Sequence, residues 1–149
     1  MVSERRPWGR WVVLEAGPGY KVKRLEVEPG QRLSLQYHQH RSEHWVVVQG
    51  QATVGVDGRT LLLTPGEPTH VPQTAVHRLE NRGPARLIVI EVQTGAYLEE
   101  DDIVRVEDDY GRPLIARTPG DARASEVHGP DFPTERTGAR ARGSSPTSD

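Results

Sequence analysis

The sequence contains no cysteine. That excludes disulfides, thiolate metal ligands and a cysteine nucleophile, and it fits a reducing compartment. An excess of one charge is also lacking. The 19 Lys and Arg stand against 21 Asp and Glu, a formal net charge of −2. No electrostatic argument therefore favours nucleic acid or an anionic membrane as a partner. No apolar run approaches the roughly 20 residues needed by a membrane-spanning helix. The opening MVSERRPWGRW has arginines but no apolar stretch behind them, so it does not read as a secretory signal. A cytoplasmic location is the expectation. There is a single phenylalanine, and no stretch carries convincing helical periodicity.

What is present is a succession of short β-branched runs between Gly and Pro turns. Trp11–Glu15, Tyr20–Glu28, Leu33–His40, Glu43–Gln49, Ala52–Val56, Arg59–Leu63, Thr69–Val71, Val76–Glu80 and Ala85–Val92 read as strands. Asp57-Gly58 is a hairpin turn. In Tyr20–Glu28 the residues Lys21, Lys23, Leu25 and Val27 share one face. The ARLIVIEV run at 85–92 is nearly continuously apolar, which predicts a strand buried on both faces. This pattern argues for an all-β sandwich or closed barrel. The segment 98–112 carries two acidic runs, Glu99–Asp102 and Glu107–Asp109, which read as solvated surface. Beyond it, Pro, Arg, Ser and Thr dominate with few large apolar residues, so 113–149 is expected to be a disordered tail.

The chemistry is concentrated in Gly30–Gly50, where Gln36, His38, His40, Glu43 and His44 fall within nine positions. A sparser stretch, Gly66–Asn81, adds His70 and His77. Positions two apart on a strand point the same way, so Gln36 and His38 share a face, with Glu43 entering from the next strand and His77 from a far one. Two imidazoles, a carboxylate and an amide oxygen make a mixed N/O set for one divalent metal, Zn²⁺, Mn²⁺, Co²⁺, Fe²⁺ or Ni²⁺. A rival register uses His38, His40 and His44 with His77. It has the right parity at His40 but breaks the spacing to the flanking glycines. His44 and His128 read as surface residues; His70 either lines the mouth or ends a strand.

Those spacings resemble the two cupin motifs. Gly30 is followed after five residues by Gln36, then His38, Glu43 and Gly50 in the order G-x5-H-x-H-x4-E-x6-G, with Gln36 where the first histidine usually stands. From Gly66, Pro72, Thr74, His77 and Asn81 follow the second motif, with Thr74 in place of its glycine. The resemblance implies a cupin, a double-stranded β-helix or jelly-roll barrel, over 1–112. Cupins commonly pair through open sheets, so a homodimer is expected, through the outward face of Val46 and Val48 or that of Leu33, Leu35 and Tyr37.

A narrower resemblance, over roughly residues 5–112, is to type II mannose-6-phosphate isomerases, often found as the C-terminal domain of bifunctional enzymes with a guanylyltransferase. It rests on RPWG at Arg6–Gly9, PGYKVKRL at Pro18–Leu25, PGQRLSLQYHQHRSEHWVVVQG at Pro29–Gly50, PQTAVHRLEN at Pro72–Asn81, IEVQTG at Ile90–Gly95 and EDDIVRVEDDYGR at Glu100–Arg112. No Gly-rich nucleotidyltransferase segment is among these residues, so guanylyltransferase activity is not implied. What the resemblance implies is interconversion of mannose 6-phosphate and fructose 6-phosphate through a cis-enediol, in activated-mannose and polysaccharide synthesis. The metal set Gln36/His38/Glu43/His77 would polarise the carbonyl. Lys21, Lys23, Arg41 and Arg105 are the candidates for the phosphate, Arg105 by closing over the mouth. His40 is the first candidate for proton transfer, with Lys23 and Glu91 as alternatives. Two other readings stand beside this one. A non-haem iron dioxygenase would want an aromatic-lined pocket, which one phenylalanine does not supply. A cupin that binds a sugar phosphate without turning it over is separated only by assay.

Overall fold

The computed structural model describes residues 2–112. Regular structure among them is entirely β, in eleven strands. In chain order these are β1 Ser3–Arg6, β2 Gly9–Gly17, β3 Tyr20–Val27, β4 Leu35–Tyr37, β5 Arg41–Gln49, β6 Ala52–Val56, β7 Arg59–Leu63, β8 Pro68–Val71, β9 His77–Glu80, β10 Leu87–Gly95 and β11 Val104–Glu107. They form a six-stranded sheet, β1-β2-β3-β10-β5-β8, and a five-stranded sheet, β11-β4-β9-β6-β7. Every pairing is antiparallel. The expected all-β fold is the one observed. The expected disordered tail, 113–149, lies outside the described residues.

Register makes the interior a stack of layers. At one level Leu25, Val89 and Val47 lie side by side on β3, β10 and β5. Leu79 and Val54 lie side by side on β9 and β6. All five are buried in one cluster with Trp8, Val27, Leu33 and Leu87. This is the apolar core. Two residues further along the same strands the inward positions change character. Lys23, Glu91 and Trp45 align, and beyond them Lys21, Gln93, Glu43 and Val71. On the other sheet Arg105, Gln36, His77 and Val56 form a matching row. Alternation in each strand thus carries one inward face from apolar packing into a polar chamber.

Three differences from the expected strands have local causes. The Leu33–His40 strand is cut to Leu35–Tyr37, and the break falls at residues 38–40, not at Arg41-Ser42. There the backbone amides of Gln39 and His40 donate to the Asp102 carboxylate instead of to a neighbouring strand, at 2.9 Å each. Strand β10 is buried on one face only. Leu87, Val89, Glu91 and Gln93 are buried, whereas Ile88, Ile90 and Val92 are half-exposed on the outer face beside Val46 and His44. A continuous apolar run therefore did not mean two buried faces. Finally, the acidic runs of 98–112 are not solvated surface, and the segment forms a short strand, β11. Arg32 forms two bonds to Asp109, at 2.7 and 2.9 Å. Arg78 donates to Glu107 at 2.8 Å, and Tyr110 Oη to Gln31 at 2.6 Å. Asp102 is buried. The acidic runs are mostly partners for arginines, lysines and backbone amides across the fold, and of their residues Glu99 and Asp101 are the exposed ones.

Two left-handed turns hold strand ends in place, Gly50 at the apolar end of β5 and Thr74 beside the chamber. Gly50 has φ +87°, and a Cβ there would sit 2.8 Å from the Arg86 carbonyl. Thr74 replaces the motif glycine yet keeps a left-handed backbone, φ +68°. That conformation costs a non-glycine residue about 1–2 kcal/mol. It is held because the Thr74 amide donates 2.9 Å to the carbonyl of His38.

Candidate metal centre

His38, Glu43 and His77 converge in the polar chamber, and one ligand-capable atom from each lies within 4.8 Å of the others. Nε2 of His38 is 3.3 Å from Glu43 Oε2, and Nε2 of His77 is 3.9 Å from Glu43 Oε1. The two rings are 5.0 Å apart between centroids. All three side chains are buried.

The surroundings decide which nitrogen each imidazole offers. His38 Nδ1 donates to the Asp102 carbonyl at 2.7 Å. His77 Nδ1 donates to the Ala75 carbonyl at 2.9 Å. Both rings therefore carry their proton on Nδ1 and turn a bare Nε2 toward Glu43. Nε2 of His77 is buried with no hydrogen-bond partner, an arrangement that costs free energy unless something binds there. Burial, above all, holds His38 well below the usual imidazole range, and the Arg41 and His77 charges push it further. Burial lowers His77 to about 4. Two neutral imidazoles beside a buried carboxylate, His77 with an unpartnered Nε2 and His38 with its Nε2 accepting from Arg41, fit a divalent cation.

Gln36 lies directly opposite His77 across β4 and β9. Its Oε1 accepts from Ser34 Oγ, and its Nε2 is buried without a partner. A half-turn of the amide would let Nε2 donate to Ser34 and leave Oε1 where the nitrogen now is. Gln36 can then supply the amide oxygen to the same cation.

The cationic residues are placed as follows. Arg41 is buried, and its Nε donates to Glu43 Oε2 at 2.9 Å while one terminal nitrogen lies 3.3 Å from His38 Nε2. Lys23 is fully buried. Its Nζ is 4.3 Å from the centre of the Trp11 ring and bonds both Glu100 oxygens, at 3.2 and 3.0 Å. Desolvation lowers the Lys23 pKa, with Glu100 and Glu91 opposing it. Lys21 donates to the Leu98 carbonyl at 2.9 Å. The expectation that Arg105 closes over the mouth is corrected. It lies within β11, paired opposite Gln36, and is buried as part of the chamber wall.

The expectation that His40 shares the metal face is corrected as well. The strand ends at Tyr37, so alternation does not reach His40. It is exposed, with Tyr97 edge-on at 5.7 Å between ring centroids. His44 and His70 are also exposed, stacked at 4.3 Å on the outer face of β5 and β8. The rival register with His40 and His44 is not the set that converges.

A scan against known families matches residues 2–108 to the mannose-6-phosphate isomerase C-terminal family. The chain belongs to that family. Among curated relatives is the mannose-1-phosphate guanylyltransferase ManC of Salmonella typhimurium, 53% identical over 107 residues, which cover 72% of this chain and 22% of that protein. The alginate biosynthesis protein AlgA of Pseudomonas aeruginosa matches with the same identity and coverage. The chain thus spans about a fifth of the length of these relatives. Among solved structures, the cupin domain of Schizosaccharomyces pombe Cnp3 superposes with a TM-score of 0.55 at 16% identity, covering 58% of this chain and 64% of that one. The fold is the cupin. No helix of the described residues is long and apolar enough to cross a membrane.

Within this family member, three residues outside the expected set prove central to the chamber. Trp45 Nε1 lies 3.1 Å from both Glu43 Oε1 and Glu91 Oε2. Gln93 Nε2 donates to Glu91 Oε1 at 2.9 Å. Glu91 is buried, and burial, with Glu43 beside it, raises its pKa well above the usual carboxylate range. Asp102 supplies its carbonyl to His38 and its carboxylate to the two following amides. The parity of Arg41, Glu43, Trp45 and Val47 already placed Trp45 inward. No local signal marks Asp102, because its contacts span more than 60 positions.

Proposed function

We propose that the chain is a metal-dependent aldose-ketose isomerase that interconverts mannose 6-phosphate and fructose 6-phosphate in activated-mannose and polysaccharide synthesis. The observation that carries this reading is a chamber with two roles side by side. His38, Glu43 and His77 converge as a cation site, and fully buried Lys23 lies on the same inward face as Lys21. In this reading Gln36, His38, Glu43 and His77 hold the metal. The divalent ion, zinc being the first choice, supplies Lewis-acid polarisation of a carbonyl and stabilises the charge of the enediolate.

The chain's own residues do the rest. Lys21 and Lys23 take the phosphate, which fixes the sugar's carbon chain across the chamber. Arg41 and Arg105 add positive charge to the walls where the anion lies. Arg41 also orients Glu43 through its 2.9 Å bond. The reaction moves a proton from C2 to C1 of the substrate, while a second proton passes between the neighbouring oxygens. Of the groups considered for this transfer, Lys23 and Glu91 face the chamber and His40 does not. The role is assigned to Glu91, whose raised pKa brings it nearer the range for accepting and returning a proton. The closed pairing of Glu91 with Trp45 and Gln93 keeps that carboxyl oriented.

The proposed location is the cytoplasm, where sugar phosphates are made and used, and the proposed assembly is a homodimer. Sedimentation of the purified chain checks the assembly. The deciding experiment is conversion of mannose 6-phosphate by the purified chain, with and without chelator. Turnover that chelation removes and Zn²⁺, Mn²⁺, Co²⁺ or Fe²⁺ restores is the expected result. No turnover with any of them ends the isomerase reading and leaves a sugar-phosphate-binding cupin. Metal content tests the ligand set separately: His38→Ala and His77→Ala should lose bound metal, and His44→Ala should keep it.

A further inference from the structure

We infer that Glu100 is a resident carboxylate on an anion subsite formed by Lys21 and Lys23, and that a phosphate group binds there by displacing it. For a sugar phosphate the inference rests on the isomerase reading; for phosphate itself it does not.

The two sides of this ion pair differ in burial. Lys23 is fully buried, whereas the side chain of Glu100 is 27% exposed and stands in the turn between β10 and β11. The cation belongs to the chamber wall, and the anion reaches it from the rim. Lys23 is also held independently of Glu100, by the Trp11 ring beneath its ammonium group.

Glu100 presents its two oxygens to two ammonium groups. Both bond Lys23, at 3.2 and 3.0 Å, and one lies 3.5 Å from Lys21. A phosphate group offers more acceptor oxygens and a larger negative charge in the same compass, so it can take over each of these contacts. The charge of the chamber favours the exchange. Lys23, Arg41 and Arg105 line it against Glu43 and Glu91. A divalent cation at the imidazoles would add further positive charge. One carboxylate at the rim leaves that excess only partly balanced, and a phosphate dianion balances more of it.

The reading differs from a permanent structural bridge in a measurable way. A competitor weakens the ligand it competes with, so removing its charge should strengthen anion binding. Calorimetric titration of the full chain with inorganic phosphate, mannose 6-phosphate and mannose, in wild type and Glu100→Gln, provides the test. About tenfold tighter binding of both phosphates by Glu100→Gln, with no gain for mannose, is expected. Equal or weaker phosphate binding by Glu100→Gln would overturn the inference.

Removing Glu100 also leaves Lys23 buried without that counter-charge, which destabilises the fold. Inorganic phosphate should then raise the melting temperature of Glu100→Gln by more than it raises that of wild type. An equal or smaller rise counts against the proposal. If Glu100→Gln does not fold, Glu100→Asp keeps the charge on a shorter arm and should show a smaller gain in phosphate affinity; no gain overturns it. None of these readouts needs turnover. A chain that is inactive but shows them loses the isomerase reading and keeps this one. A chain that isomerises with no Glu100 effect does the reverse.

Discussion

The two ends of the sheet interior are built on the same strands with the same alternation, and they differ in what the inward positions carry. On β3, β10 and β5 one level holds Leu25, Val89 and Val47, and the adjoining levels hold Lys23, Glu91 and Trp45, then Lys21, Gln93 and Glu43. The apolar end is held chiefly by side-chain packing. The polar end contains buried charge that packing cannot satisfy, and it is closed by a segment distant in sequence, 98–112. Stability is therefore concentrated at one end and chemistry at the other, on strands that run through both.

The sharpest test of that division is Leu25→Ala. Leu25 is fully buried, and removing its side chain should cost about 2–5 kcal/mol in urea unfolding. Metal content of the folded protein should be unchanged. A loss of metal with Leu25→Ala would mean that the two ends are one unit.

The second test is pH. In chelator, His77 stays neutral with its pKa lowered to about 4, whereas an unfolded histidine protonates near 6.5. The folded-state value is the depressed one, so stability is full above about pH 6.5. It falls as pH drops toward 4, because the unfolded chain takes up a proton that the folded site refuses. His77 accounts for about 3 kcal/mol of that fall. His77→Gln should flatten the pH dependence measured by urea unfolding, while Leu25→Ala should lower the whole curve without changing its slope.

A smaller effect is expected where the closing segment meets the metal ligands. Asp102→Ala removes the carboxylate that receives the amides of Gln39 and His40, loosening the bend that aims His38. Metal affinity, measured by competition with a chromogenic chelator, should fall about 10- to 100-fold, with unfolding in chelator changed much less. The smallest effect is expected at Thr74→Gly. It relieves the left-handed strain at φ +68° but adds freedom to the unfolded chain, for a net gain of at most about 1 kcal/mol.

The same contrast explains what could be read before the fold was known. Alternation in Lys21, Lys23, Leu25 and Val27 was visible in the residues themselves, and it put two lysines and two core residues on one face, as observed. The spacing from Gly30 to Gly50 and from Gly66 to Asn81 likewise pointed to His38, Glu43 and His77 as a convergent group. His40 was misplaced because alternation was carried past the end of a strand, and what ended that strand was the carboxylate of Asp102, more than 60 positions away in sequence. The acidic runs were misread for a related reason. A cluster of Asp and Glu looks solvated until its arginine partners are known, and Arg32, Arg78 and Lys23 meet it only after folding. Short-range periodicity was legible, and partners 29 to 77 positions apart were not.

The three tryptophans occupy three different environments. Trp45 donates to the Glu43 carboxylate, Trp11 lies beneath the Lys23 ammonium group, and Trp8 is sealed in the apolar core. Indole emission responds to the charge beside the ring. Neutralising Glu43 with a cation and exchanging the anion on Lys23 should thus alter the light from two separate residues, while the third stays constant. Replacing Trp11 or Trp45 singly by phenylalanine would leave one channel at a time, so the chain carries its own optical gauges for the order in which metal and phosphate arrive.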